Sequence, residues 1–252
     1  MSNKIISEIK KYGIRAPLEI YKKVKTYNDL LLTNIAFFEN KLSSTYNYSD
    51  YFISENMEDK NFADFKDDLI ELATYGIYSV NGHSNYCEKL TKDNYEIYKR
   101  FNKTSDDNIP INKKTYNKLQ YRQRCYIDFF ISEKDAAILI PILKQQQNIF
   151  MHVIYPNYNM ISNIPNLSMS YQAIVSNNFP LWDTELGDSV NLSIPNLRET
   201  TGYDAKMMFP NVYDVLKDKV LIFLYGREMC KDDCINLLLY LCQDNLSKKI
   251  NF

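Results

Sequence analysis

A chain of 252 residues, 45% of them hydrophobic, is long enough to bury an ordinary core in one large domain or two small ones. Its 30 basic and 31 acidic side chains leave a formal charge of −1, which excludes a whole-molecule field that gathers nucleic acid or anionic lipid, so any such binding has to be local. The apolar run Val220 to Tyr225 is far short of the roughly 18 residues that span a bilayer, and the first residues lack a signal-peptide apolar core, so the sequence reads as an intracellular, cytoplasmic protein with no membrane partner.

Five cysteines, Cys87, Cys125, Cys230, Cys234 and Cys242, are an odd number without framework spacing, and most sit inside apolar patterns. That is the pattern of reduced thiols, not of a disulfide scaffold. The 21 Tyr against 6 Gly and 1 Trp follow from an AT-rich codon bias, which discounts arguments from aromatic abundance.

In chain order, Ser2 or Asn3 caps a helix with the stripe Ile5, Ile6 and Ile9, Gly13 ends it, and Pro17 suits the first turn of a second helix. A third begins at Thr26 with Asp29 in capping-box position and carries Leu30, Leu31, Ile35, Phe38 and Leu42 at helical spacing. Residues 1–25 hold seven Lys or Arg against two Glu, read as a solvated helix face. Phe62, Phe65, Leu69 and Leu72 mark a further helix closed by Gly76, which feeds a strand at Ile77 to Val80. The polar stretch Glu88 to Gln120 contains an exposed loop at 104–110.

Cys125 to Ile131 is a near-continuous apolar strand interrupted by Asp128, and Ser132 with Asp135 opens a helix from Ala136 to Gln147 that Pro141 should kink or restart. A strand at Phe150 to Tyr155 completes a β-α-β unit, right-handed if its strands are parallel neighbours. A similar unit, strand Val220 to Tyr225 followed by a helix through Cys234, Leu238, Leu241 and Cys242, closes the chain. Between them, Pro156, Pro165, Pro180, Pro195 and Pro210 permit only short elements: a strand over Ser168 to Ser176, a tight turn over Leu181 to Gly187 held by Trp182, and a helical stretch from Asn211 to Lys217. The expected architecture is α+β, a mixed sheet flanked by helices. An N-terminal helical segment covers 1–42, and an α+β domain covers 43–252 with a loop-rich excursion at 156–218.

The segments Thr26 to Leu30, Ile35 to Leu42, Leu72 to Gly76, Asn81-Gly-His-Ser84 and Gln123-Arg-Cys-Tyr-Ile127 together resemble an uncharacterised domain family of mimivirus-like giant DNA viruses and some bacteria, over about residues 26–145. In that family the turn after the first strand reads Ser-Gln-Pro-Gly or similar and the later strand opens with Gln-Arg. This chain keeps Gln123 and Arg124 but carries Asn81-Gly-His-Ser84 at the turn. The resemblance implies an α+β fold in a viral, host-cytoplasmic setting, and no chemistry.

No Gly-x-Gly-x-x-Gly and no Gly-x4-Gly-Lys occurs, so no cofactor is expected and no catalytic residue is assigned. His83, Cys87, Cys230 and Cys234 have the count of a zinc site, but Cys234 falls on the stripe of Leu238 and Leu241, so no metal is expected. A thiol hydrolase built on Cys87 with His83 or His152 is the enzymatic alternative. The structural account has His83 in a turn and His152 within a strand. Asp128 is assigned to the sheet's polar side. Were it buried, Arg122, Arg124 or Arg227 would be its partner. Tyr225-Gly-Arg-Glu228, where a strand meets a helix, is a weak anion-binding signal.

Lys118, Tyr121, Arg122 and Arg124, basic residues among aromatics, fit single-stranded RNA. Tyr203, Met208 and Phe209 resemble the helical motif by which translation factors dock on the cap-binding protein, and Tyr27 with Leu32 is a poorer copy. The reading with most support is a non-catalytic scaffold subunit that binds a viral or host protein, with the translation-initiation machinery as one such partner. An RNA-binding protein and a Cys/His hydrolase are the alternatives.

Overall fold

The computed structural model describes residues 2–43, 60–83, 86–89, 120–123, 125–155, 182–184, 189–190, 210–228 and 231–250. Four helices come first: α1 (Ser2–Tyr12), α2 (Pro17–Tyr21), α3 (Tyr27–Phe38) and α4 (Lys60–Thr74). Then follow β1 (Tyr78–His83), β2 (Tyr86–Lys89), β3 (Gln120–Gln123), β4 (Tyr126–Ser132), α5 (Glu133–Leu143), β5 (Ile149–Ile154), β6 (Trp182–Thr184), β7 (Ser189–Val190), α6 (Pro210–Leu216), β8 (Lys219–Gly226) and α7 (Cys234–Asn245). Helices on an antiparallel sheet make this an α+β fold, as the residue pattern indicated.

Helix α3 is the centre of the N-terminal half. The Thr26 hydroxyl accepts from the Asp29 backbone N–H at 3.2 Å, and the Asp29 carboxylate accepts from the N–H groups of Lys25 and Thr26, each at 3.0 Å. This reciprocal cap satisfies donors that a helix start leaves orphaned. Every residue from Asp29 to Phe38 is buried, so α3 is enclosed on all sides and not a one-faced helix. Its buried Asn34 donates to the Ser79 carbonyl at 2.9 Å and accepts from the Ser79 hydroxyl at 3.0 Å, which pins α3 to β1. Ser79 begins a β-bulge in the β1–β4 pairing. Gly76 ends α4 with φ +93°, a left-handed conformation that glycine adopts without a Cβ penalty, and this turns the chain into β1.

The main sheet has the order β1-β4-β8-β5, and every neighbouring pair is antiparallel, where a mixed sheet was expected. Strands β4 and β5 do run parallel to one another, yet β8 is inserted between them, so the β4–α5–β5 unit is split and its strands are not neighbours. The second sheet, β2-β3-β6-β7, continues the first: His83 faces Tyr126, and three residues further along each strand Tyr86 faces Gln123. Trp182 to Thr184, expected as a tight turn, instead pair with Gln123 to Tyr121 as a strand, and Tyr86 to Lys89, which run into the start of the expected polar stretch at Glu88, form another. The strand expected over Ser168 to Ser176 lies outside the described residues.

Ser132 caps α5 through the Asp135 N–H at 3.2 Å. The helix runs through Pro141 and ends at Leu143, short of the expected Gln147. Pro141 and Ala137 are both exposed, so water can take up the Ala137 carbonyl that proline leaves without a donor. Buried Asp135 also accepts from Ser132 at 2.6 Å and from Lys249 at 3.0 Å, and the Lys249 N–H donates to the Thr74 carbonyl at 2.7 Å. The C-terminal segment is thereby tied to α4 and α5. Helices α5 and α7 pack on β4 and β8, and the core extends from Ile5 of α1 to Cys242 of α7.

Asn34→Ala strands a buried carbonyl and a buried hydroxyl, so urea unfolding should show a loss of about 2 kcal/mol. Thr26→Ala, which removes one cap at the surface, should lose about 1 kcal/mol. Equal losses would show that the α3–β1 pin contributes no more than the cap.

Candidate functional site

The middle of β4 carries the main departure from the sequence reading. Asp128, expected on an exposed polar side, is 1% exposed, because both faces of β4 are covered: every residue from Tyr126 to Ile131 is buried. The Tyr225 hydroxyl donates to its Oδ1 at 3.4 Å, and the rings of Tyr225 and Tyr126 stack with centroids 6.2 Å apart. Register extends this into two rows across the sheet. Asn81 stands opposite Asp128, Asp128 opposite Phe223, and Phe223 opposite His152; one step along, His83, Tyr126, Tyr225 and Phe150 stand in line. The chain's two histidine positions therefore lie on the two outer strands with the carboxylate between them. At a strand spacing of about 4.8 Å their backbones are about 14 Å apart, so they are not a histidine pair. A buried carboxylate accepting from a phenol can anchor a polar group or exchange a proton.

The other candidate residues fall as follows. Cys87 is on β2 opposite Arg122, and His152 is on β5 at the far side of the main sheet, so these two positions are not brought together. Tyr121 stands opposite Thr184 and Arg122 opposite Asp183, while Lys118 and Arg124 lie outside the described residues. So do Cys230, Tyr203, Met208 and Phe209. The Tyr27 hydroxyl is within donating distance of the Phe130 carbonyl (2.7 Å) and the Gly76 carbonyl (3.0 Å), and Leu32 is buried in the core. The Tyr27 ring still lines a groove of about 440 Å³ with Lys25, Asn211 and Lys219, whose ammonium sits 5.2 Å from the ring centroid. Arg227 lies over the Phe150 ring at 4.5 Å.

That arginine belongs to a second groove, of about 450 Å³, which sequence reading missed. Its floor is Ile140 and Leu143 of α5 with Phe150, Met151 and Val153 of β5, and Lys144, Tyr155 and Arg227 stand at its rim. Tyr155 is 47% exposed. Among the described residues β5 has a strand neighbour on one side only. The available signal was Arg227 following a strand, but its apolar neighbours looked like ordinary core.

At the start of α7, the Asp233 carboxylate accepts from the N–H groups of Ile235 (3.2 Å) and Asn236 (3.0 Å). On α4, Asp68 is held above the usual carboxylate range, chiefly by burial and then by the charges of Asp233 and Asp67. Among the described residues no three His, Cys, Asp or Glu side chains converge to hold a metal ion, and no helix is long and apolar enough to cross a membrane.

A carboxyl whose folded pKa is raised stabilises the fold below its unfolded value and loses that contribution as pH rises through the folded value. Asp68→Asn should therefore raise Tm at pH 7 and leave it nearly unchanged near pH 3; an equal rise at both would point to packing instead. A double-mutant cycle of Asp128→Asn with Tyr225→Phe should give a coupling of about 1 kcal/mol, and strict additivity would show that the contact contributes nothing. No protein-family model matches the chain, and no curated protein matches it in sequence.

Proposed function

We propose that the protein is a non-catalytic interaction subunit that captures an extended, acidic and apolar segment of a partner protein in the groove between α5 and β5. The observation that carries this reading is the groove's composition: an apolar floor beside a strand with one described neighbour, with Lys144 and Arg227 at the rim and no acidic residue in the lining. An extended peptide running along an outer strand gains main-chain hydrogen bonds and sends alternate side chains into the floor. The cations select carboxylates on its other positions. Arg227, already stacked on Phe150, loses little side-chain freedom when it engages.

The resemblance over residues 26–145 supports a viral subunit working in the host cytoplasm, and the spacing of Tyr203, Met208 and Phe209 supports a partner within the translation-initiation machinery.

The test is a tagged pull-down from producing cells, washed in high salt and treated with nuclease, comparing the wild type with Met151→Glu and Arg227→Glu. A stoichiometric protein that survives both treatments and whose recovery falls about tenfold in each variant, equivalent to about 1.4 kcal/mol, is the expected result. Recovery unchanged in both variants would remove the groove from the account. A nuclease-sensitive yield would move the function to RNA.

A further inference from the structure

Cys125 and Cys234 are 109 residues apart in sequence, yet their sulfurs lie 3.3 Å from one another and both side chains are wholly buried. Each is held by its own element. Cys125 immediately precedes β4, and its carbonyl accepts from the Gly226 N–H at 2.9 Å. Cys234 opens α7, and its thiol lies 3.6 Å from the Leu224 carbonyl on β8. The Cys125 thiol points at the Asp233 carboxylate, 3.6 Å away, which is the same carboxylate that caps α7. A Cβ on Gly226 would stand 2.5 Å from the Asp232 carbonyl oxygen, so the end of β8 and the approach to α7 are in tight contact and the two sulfurs are kept together.

We propose that Cys125 and Cys234 are a dithiol site that closes to an intramolecular disulfide, a redox-controlled staple between β4 and α7, by exchange with a disulfide of the glutathione-disulfide class. One cysteine thiolate attacks the oxidant's disulfide and expels one thiolate, leaving a mixed disulfide. The second cysteine thiolate then attacks the protein sulfur of that bond and expels the other. Two electrons pass to the oxidant, the two protons lost by the cysteines end on the released thiols, and the protein loses two hydrogens. Bond formation brings the sulfurs from 3.3 Å to about 2.05 Å.

Burial, the Cys125 thiol and the Asp233 charge push the Cys234 thiol well above its ordinary pKa, so thiolate is scarce in the closed fold and exchange is slow. The staple therefore forms as the chain folds or when the first turn of α7 opens, and it is reduced again through the same opening. Cys242, farther along α7 and pushed up to about 12 by burial and by Asp135, serves as an internal control that stays a thiol.

The experiment equilibrates the purified full-length protein with defined ratios of oxidised and reduced glutathione, quenches in acid, alkylates under denaturing conditions and maps the peptides. The expected result is a cross-linked peptide pair carrying Cys125 and Cys234, lost on treatment with a phosphine reductant, with Cys242 alkylated throughout. The oxidised form should melt about 5–10 °C above the reduced form, a difference absent from Cys125→Ala and from Cys234→Ala. Full alkylation of both cysteines after oxidation, a bond from either one to Cys87 or Cys230, or a stoichiometric zinc ion whose chelation frees the pair would each overturn the proposal. The peptide map uses the wild-type chain, so its outcome does not depend on whether the variants fold.

Discussion

The fold depends on enclosing α3. A helix with water on one face can leave polar groups there, but α3 is buried from Asp29 to Phe38, so each polar atom in it needs an internal partner. Three partnerships supply these. Asp29 caps its own helix, Thr33 donates to the Leu30 carbonyl at 2.7 Å, and Asn34 exchanges hydrogen bonds with Ser79. The last is specific in position, because it fixes which turn of α3 faces which residue of β1. Tyr27, in the first turn of α3, reaches the Gly76 and Phe130 carbonyls and so relates the helix to β4 as well. Apolar packing alone would leave α3 free to slide or rotate against the sheet; the polar contacts select one placement.

That placement sets the order of the sheet. With β1 held by α3 and α4 at one margin, β4 pairs beside it, and β8, the last strand in the chain, enters between β4 and β5. Entry of β8 pairs the inner edges of both β4 and β5, and Ile127, Phe129 and Ile131 of β4 and Val220, Ile222 and Leu224 of β8 are wholly buried. It also brings Tyr225 to Asp128, 97 residues away, and so gives a carboxylate in the middle of a buried strand a hydrogen-bond donor. The buried Asp128–Tyr225 contact is thus a product of topology, since no one segment of the chain contains both residues.

Features with local causes were legible in the residues. Thr26 with Asp29, Ser132 with Asp135, Pro17 at a helix start and Gly76 at a helix end each declare themselves within four positions, and the runs around Ile127 and Ile222 are apolar enough to read as strands. Features set by distant partners were not legible. Asp128 between Ile127 and Phe129 has the same pattern whether its face meets water or core. The apolar runs of β4, β5 and β8 do not say which strand lies in the middle, so a split unit looked like two adjacent parallel strands. Trp182 to Thr184 is too short to announce itself and is a strand because β3 and β7 offer it ladders. The meeting of Cys125 with Cys234 and the groove floor of Ile140, Phe150 and Met151 likewise need the assembled sheet.

The end of β8 ties the two proposed features together. Its Gly226 N–H holds the Cys125 carbonyl, and the next residue, Arg227, donates its own N–H to the Asn148 carbonyl at 2.8 Å, just before β5 begins. The same backbone thus sits above the thiol pair and at the mouth of the groove. With the thiols reduced, the first turn of α7 and the end of β8 are joined by hydrogen bonds and packing, which open more readily than a covalent bond. With the proposed staple closed, α7 and the start of β4 are joined covalently, and the end of β8, hydrogen-bonded to Cys125, opens less readily. If both proposals hold, redox state acts on the groove through how readily the end of β8 opens, without any change in the residues that line it.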